Sequence, residues 1–186
     1  MERELEIEII REVLLGDPQP FELLVREYQR PVFNLMFRTV NDREEAADLA
    51  QEAFTRAYAR LETFKAGKAF FPWLYSLSLN VARDHLRSRG RDFHVFMDNP
   101  SVMARSQDTI DEQQIVQDRL VSEKVLAFVE CMAPKYREAL LLRFKHDLSM
   151  KEIGEALGIT VSGAKMRVSR GLEIIRDQFK EVSDVR

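Results

Sequence analysis

Lys165, Arg167 and Arg170 sit at steps of two and three residues and lie off an apolar stripe of Val161, Ala164, Val168, Leu172 and Ile175. Steps of three or four along that stripe require a helix, which turns the three cations outward. Outward cations on one helix can neutralise phosphate, and arginine can grip a guanine edge with two hydrogen bonds. The residues just before supply the entry to that helix. Ser149 and Glu152 form an S-x-x-E capping box, Ile153, Ala156 and Leu157 give a short helix one apolar face, and Gly158 can end it in a left-handed conformation. Ile159 packs in the turn, and Thr160 can cap the second helix. The spacing predicts a helix-turn-helix whose second helix suits a DNA major groove. An αα-hairpin with a solvated basic face has the same outline; the coincidence of cap, glycine turn and basic helix favours DNA.

Two further groups carry chemistry. In DLAQEAF, Asp48, Gln51 and Glu52 share one outward helical face, and Glu45 extends it by a turn. Such a face fits a basic protein partner, and equally an ordinary solvated acidic surface. Phe64, Lys65, Gly67, Lys68 and Phe70 follow in a loop. Bases stack on aromatic rings while lysine or arginine holds phosphate, so this mixture suits single-stranded nucleic acid. Gly67 makes room there for an extruded base. Downstream, Ser76, Asn80, Arg83 and Arg87 fall on one helical face, and asparagine can pair with a base edge. Trp73, Leu74 and Leu77 are expected in the core.

Catalytic arrangements are missing from the pattern. His85, His94 and His146 stand far apart without metal-ligand spacing. The acids form no recognisable Mg²⁺ site, and Cys131, the lone cysteine, has no evident base partner. No metal, no cofactor and no enzymatic activity are expected. Cys131 is expected to be a buried, inert thiol in a reducing compartment. The N-terminal stretch MERELEIEII is too acidic for a signal peptide, and no apolar run reaches membrane-spanning length. A cytoplasmic location follows as an expectation.

The chain has 186 residues, 45% apolar and 32% charged, with a net charge of −3. That sum excludes a protein that simply coats DNA. The distribution is uneven. Arg83 to Arg91 holds four arginines and one aspartate, and Lys165 to Arg176 four bases and one glutamate. Asp42 to Glu52 holds five acids and one arginine, and Asp92 to Asp118 six acids and one arginine. Two basic surfaces and a compact acidic one point to a protein that touches both nucleic acid and a basic protein partner.

The elements that must position these residues are helices; no alternating strand pattern occurs, so the fold class is all-α. The period predicts helices over Glu4 to Leu15, from Pro20 onward with a kink or break at Pro31 and a continuation to Val40, over Arg43 to Leu61, and from Pro72 to about Arg89. Asn41-Asp42 is a turn and N-cap. Residues 91–114 read as an acidic linker, with Asn99-Pro100 inside it. Helical pattern resumes near Ile110, with Val121, Val125, Phe128, Val129 and Met132 as a core face, and Pro134 opens a helix with Ala139, Leu140, Leu142 and Phe144 apolar. Two small helical domains result, 1–90 and 115–186, the second with the helix-turn-helix.

Three stretches resemble, in order, the extracytoplasmic-function group of bacterial RNA polymerase sigma factors. DREEAADLAQEAFTRAYARLETFK looks like the core of the family's second region. AFFPWLYSLSLNVARDHLRSRGR looks like its promoter-opening and −10-reading segment, with an N-x-x-x-D-x-x-R arrangement at Asn80, Asp84 and Arg87. APKYREALLLRFKHDLSMKEIGEALGITVSGAKMRVSRG looks like the fourth region, which reads the −35 element. The resemblance implies that Glu45, Asp48, Gln51 and Glu52 dock on the clamp helices of the polymerase's largest subunit. It implies that the loop Phe64 to Phe70, with Lys65, Gly67 and Lys68, captures a flipped base. Asn80, Arg83 and Arg87 would grip the −10 strand, and Lys165, Met166, Arg167, Ser169 and Arg170 would meet the −35 duplex. The acidic linker would run through a basic channel of the polymerase. Core RNA polymerase and promoter DNA, duplex at −35 and single-stranded at −10, are the implied partners. The family is commonly held inactive by an anti-sigma factor, and the resemblance admits one here. A polymerase-independent helix-turn-helix regulator with a dimerisation or ligand domain is the alternative; it leaves the acidic face and the aromatic loop without a use.

Overall fold

A computed structural model of the chain describes residues 3–65, 67–90 and 116–183, with side chains described to residue 179 and, in the last stretch, from residue 124. All its regular elements are helical: α1 (Arg3–Leu14), α2 (Phe21–Val40), α3 (Arg43–Ala59), a 3₁₀ turn (Leu61–Thr63), α4 (Phe70–Ser88), α5 (Val116–Cys131), α6 (Pro134–Phe144), α7 (Met150–Leu157) and α8 (Val161–Ser183). Helices α1–α4 make one compact unit; α5, α6, α8 and the first residues of α7 make a second. The expected linker 91–114, with His94 and Asn99-Pro100, lies outside the described residues, as do the helical start near Ile110 and the Val121 side chain.

In the first unit α2, α3 and α4 pack on one another and α1 lies against α2 and the 3₁₀ turn. Leu24, Val32 and Met36 of α2 meet Ala46, Ala53 and Ala57 of α3 and Leu74, Val81 and Ala82 of α4, all essentially inaccessible. The alanines of α3 matter here, because small side chains let the neighbouring helices approach its axis closely. Asn41 takes a left-handed backbone, φ 57°, and donates its N–H to the Phe37 carbonyl, which closes α2. Asp42 then caps α3 by accepting the Glu45 N–H at 2.9 Å. The expected break at Pro31 does not occur: α2 runs through it from Phe21 to Val40. Apolar burial on both sides of the proline, at Leu24 and Val32, holds the helix together despite the missing hydrogen bond.

Glu6 of α1 is buried, and its carboxylate accepts the hydroxyl proton of Tyr28 on α2. Burial first, and that hydrogen bond second, push the Tyr28 hydroxyl far above its usual pKa.

The second unit has its own core of Val129, Met132, Ala139, Leu140, Leu142, Ile153, Ala164 and Val168. Phe128 of α5 and Phe179 of α8 meet edge to face at 6.0 Å. One expectation fails. Cys131, the last residue of α5, is exposed rather than buried, because the helix ends there and turns its final side chain outward. Phe144, at the end of α6, is 64% exposed. The core also takes Arg137 and Glu138, each about 1% exposed. The Arg137 Nε donates to Glu138 Oε1 at 3.2 Å and its Nη1 to the Glu130 carbonyl at 2.9 Å. A charged pair is tolerated there because hydrogen bonds replace the lost water.

Candidate nucleic-acid and partner interfaces

The acidic helix divides its side chains between two neighbours. Asp48 and Gln51 are exposed, as the spacing predicts. Glu45 turns toward the end of α4, and Glu52 pairs with Arg56 on its own helix. Glu45 accepts a hydrogen bond from Arg89 and lies 3.5 Å from His85 Nε2. Glu52 accepts from Arg56 Nη2 at 2.6 Å, and Arg56 Nη1 reaches Asp84 of α4 at 2.9 Å. The Asp84 carboxylate, hydrogen-bonded to it, raises the Arg56 guanidinium still further above its ordinary value. Of the expected row of four, Asp48 and Gln51 are exposed, while Glu45 and the Glu52 side chain, 44% exposed, also join a ladder of charges between α3 and α4. The step of seven from Glu45 to Glu52 makes almost two whole turns, which explains why those two point the same way. Sequence reading overlooked Arg56, although its place four residues after Glu52 signals an ion pair.

Beside Gln51, a groove of about 740 Å³ opens between α2 and α3. Phe21, Val25, Phe33, Ala47, Phe54 and Tyr58 line it, with Arg30, Arg43, Gln51 and Thr55 among the polar groups at its edge. Phe21 and Tyr58 close one side edge to face at 5.2 Å. Asp48 thus stands next to an open apolar furrow, which the sequence did not announce because its wall comes from α2 as well as α3.

The aromatic loop is partly a core extension. Phe70 is fully buried and is the first residue of α4, so its expected place as an exposed base-stacking ring is corrected: it is a core residue. Phe64 is half-buried, with ring centroids 5.7 Å from Phe70 and 5.5 Å from Trp73. Lys65, Gly67 and Lys68 are exposed. Gly67 has φ +90° and its carbonyl accepts a hydrogen bond from Arg3. Ala66 lies outside the described residues. Starting α4 at Phe70 rather than Pro72 puts Pro72 in the first turn, where its missing N–H costs nothing.

Along α4 the expected face holds. Asn80 and Arg83 are half-buried, and Arg83 Nη1 donates to Asn80 Oδ1 at 3.0 Å. That bond fixes which edge of the amide points away from Arg83. Arg87 is exposed one turn further on. Asp84, one turn after Asn80, pairs with Arg56 of α3.

The helix-turn-helix matches its sequence signature. The Ser149 N–H donates to Glu152 Oε2 at 2.9 Å while the Glu152 N–H donates back to Ser149 Oγ at 3.3 Å, a closed capping box. Gly158 has φ +65°, the left-handed turn a side chain would disfavour. The Gly163 N–H donates to Thr160 Oγ1 at 3.0 Å and starts α8. Lys165, Met166, Ser169 and Arg170 are exposed and Arg167 is half-buried. The apolar stripe differs in two positions. Val161 and Leu172 are 43% and 38% exposed, and Gly171 is buried instead. A Cβ at Gly171 would come within 2.8 Å of Leu140 Cδ1, so α6 and α8 approach as closely as a missing side chain permits. The period alone cannot find such a residue, since glycine scores as a helix breaker rather than as a contact.

Among the described residues no three His, Cys, Asp or Glu side chains gather where they could hold a metal ion. No helix among them is long and apolar enough to cross a membrane.

Comparison with known proteins covers nearly the whole chain. Residues 24–92 match the family model for Sigma-70 region 2, and residues 122–175 that for Sigma-70 region 4. The ECF RNA polymerase sigma factor SigW of Bacillus subtilis is 31% identical over 183 residues, spanning 93% of this chain and 96% of that protein. Among solved structures, CnrH in complex with the cytosolic domain of CnrY matches with a TM-score of 0.64 at 18% identity, over 95% of this chain and 98% of that one. The sigma factor RpoE in complex with the anti-sigma factor NepR, from Bartonella quintana, matches with a TM-score of 0.58 at 21% identity, over 86% of this chain and 96% of that one.

Proposed function

The chain belongs to the extracytoplasmic-function (ECF) sigma factors of RNA polymerase, and from that premise we propose that it binds core polymerase, directs it to particular promoters and helps to melt them. It acts without catalytic chemistry of its own, in the cytoplasm where the polymerase works. Residues 1–90 bind the polymerase and the melted −10 strand, 91–114 link, and 115–186 read the −35 duplex.

The observation that carries this reading is the pairing of two unlike faces in one small unit. On α3, Asp48 and Gln51 stand exposed beside the apolar groove. On α4, Asn80, Arg83 and Arg87 present an amide and two guanidinium groups. A basic amphipathic partner helix finds charge at Asp48 and an apolar seat among Phe21, Val25 and Phe54. An unpaired strand finds a base-edge partner in Asn80 and phosphate partners in the arginines. A regulator that only reads duplex DNA needs neither. Lys65, Gly67 and Lys68 flank the half-buried Phe64 ring and supply the rim of the base-capturing loop. In the second unit Lys165, Met166, Arg167, Ser169 and Arg170 meet the −35 major groove or its phosphates. The RpoE relative was solved with its anti-sigma factor, and we propose a partner of that kind for this chain, covering the faces that polymerase uses.

The test is affinity for purified core polymerase. Asp48→Lys changes an exposed side chain, where substitutions usually alter stability by about 0.5 kcal/mol or less. It is expected to abolish core binding while the thermal melt stays in place. Unchanged affinity removes α3 as the docking face.

A further inference from the structure

Arg89 follows the last residue of α4, two positions after Arg87. Its guanidinium donates to Glu45 of α3. Glu45 is one of the carboxylates on α3, the helix proposed above to dock on the polymerase, and its side chain is 23% exposed, with Arg89 at 55%. His85 stands 3.5 Å from the same carboxylate. One acid of α3 thus holds the last described cation after the basic helix.

We propose that Arg89 is a further phosphate contact for the unpaired strand, held in reserve by Glu45 and released when the polymerase's basic surface takes that carboxylate. The inference rests on the reading of α4 as the strand-binding face. Ion pairs at an exposed surface are weak and screened by salt, so a partner that brings several cations can claim Glu45 readily. Arg89 sits beyond the helix on a long flexible stem and gains a phosphate in place of the carboxylate it loses. Guanidinium binds both with the same forked geometry, so the exchange keeps its hydrogen bonding intact. The consequence is order: the free chain grips single strands poorly, and docking on the polymerase completes the strand-binding set.

The experiment uses the full chain and a fluorescein-labelled fifteen-residue oligothymidine, with affinity read by fluorescence anisotropy across a salt series. Glu45→Gln keeps the shape of the side chain and releases Arg89 without polymerase. Glu44→Gln removes the same charge from the neighbouring exposed position, which has no partner among the described residues. Glu45→Gln is expected to bind several-fold tighter than the parent at low salt. Its log–log salt dependence should steepen by about 0.7, the value for one added phosphate contact on a single strand. Glu44→Gln should stay within about twofold of the parent by the same salt argument. Adding Arg89→Ala to Glu45→Gln should return the affinity to the parent's, whereas Arg89→Ala alone should change little because the residue is latched. A gain no larger than that of Glu44→Gln, or one that survives Arg89→Ala, overturns the latch. Arg87→Ala separates the two levels. If it weakens binding while Glu45→Gln gains nothing, only the latch fails; if it has no effect, α4 is not the strand face and both readings fall.

Discussion

Asp48 is the simplest probe of the partner surface, because Glu45 and Glu52 are also paired within the unit in the free chain. Charge reversal there should therefore act on binding, whereas reversal at Glu52 also opposes Arg56 and disturbs the ladder to Asp84. On α8, Arg170 is exposed and is the simplest probe of duplex contact. Arg170→Ala in the holoenzyme should weaken −35 binding in a competition assay on matched promoter variants. A lost phosphate contact weakens all variants alike, while a lost guanine contact costs about 1–3 kcal/mol and relaxes one position. Equal binding by parent and variant on every template would place Arg170 off the DNA. Tyr28 makes a prediction about pH. Burial and the Glu6 acceptor keep its proton on in the folded chain, while the unfolded chain releases it near pH 10. Above that pH the unfolded state binds fewer protons than the native one, so stability falls as pH rises. Tyr28→Phe strands the Glu6 carboxylate and should cost about 1–3 kcal/mol at pH 7. In denaturant melts from pH 7 to 11, the gap between parent and variant should narrow above pH 10; a constant gap would contradict the coupling.

At the scale of elements, the second unit depends on a helix junction that hydrophobic period alone does not disclose. Arg137 and Glu138 lie in a helix whose spacing nominates Ala139, Leu140 and Leu142, yet both are buried. Removing one member takes from the other its ion-pair partner at a buried site, so Arg137→Ala should destabilise the unit by about 3–5 kcal/mol. Circular dichroism melts of the full chain should show the second unit unfolding early while the first keeps its own transition; a single unshifted transition would argue against it. The helices themselves were legible, because caps and turns are local chemistry. Asp42, Ser149 with Glu152, Gly158 and Thr160 all act within three or four residues of their own position. What was not legible depends on partners distant in sequence. Pro31 survives inside α2 because packing outweighs one lost hydrogen bond, Phe70 is covered by Phe64 and Trp73, and Gly171 is chosen by Leu140. The candidate site was legible as residue types and faces. Its division of labour was not, since whether a carboxylate points at solvent or at Arg89 is decided by the packing of α4 on α3.

For the whole molecule, two basic surfaces and one acidic surface on a chain of net charge −3 make sense when the chain works on a large partner rather than alone. Negative charge away from the DNA-reading helices suppresses stray binding to the genome, and the partner supplies the affinity that the charge withholds. Melting is the step that sets a sigma factor apart from a duplex reader, and unpairing costs a few kcal/mol that strand capture must recover. The decisive measurement is permanganate reactivity of thymines in the −10 region, on a promoter selected by the reconstituted holoenzyme from a random library. Core polymerase with this chain should open that region, and core polymerase alone should not. Asn80→Ala should open it much less while still binding polymerase and the −35 element, and a pre-melted bubble should restore most of the loss. Equal opening by the Asn80 variant would make the α4 face structural only. No opening by the parent chain on any selected template, despite tight binding to core polymerase, would contradict the account at its centre.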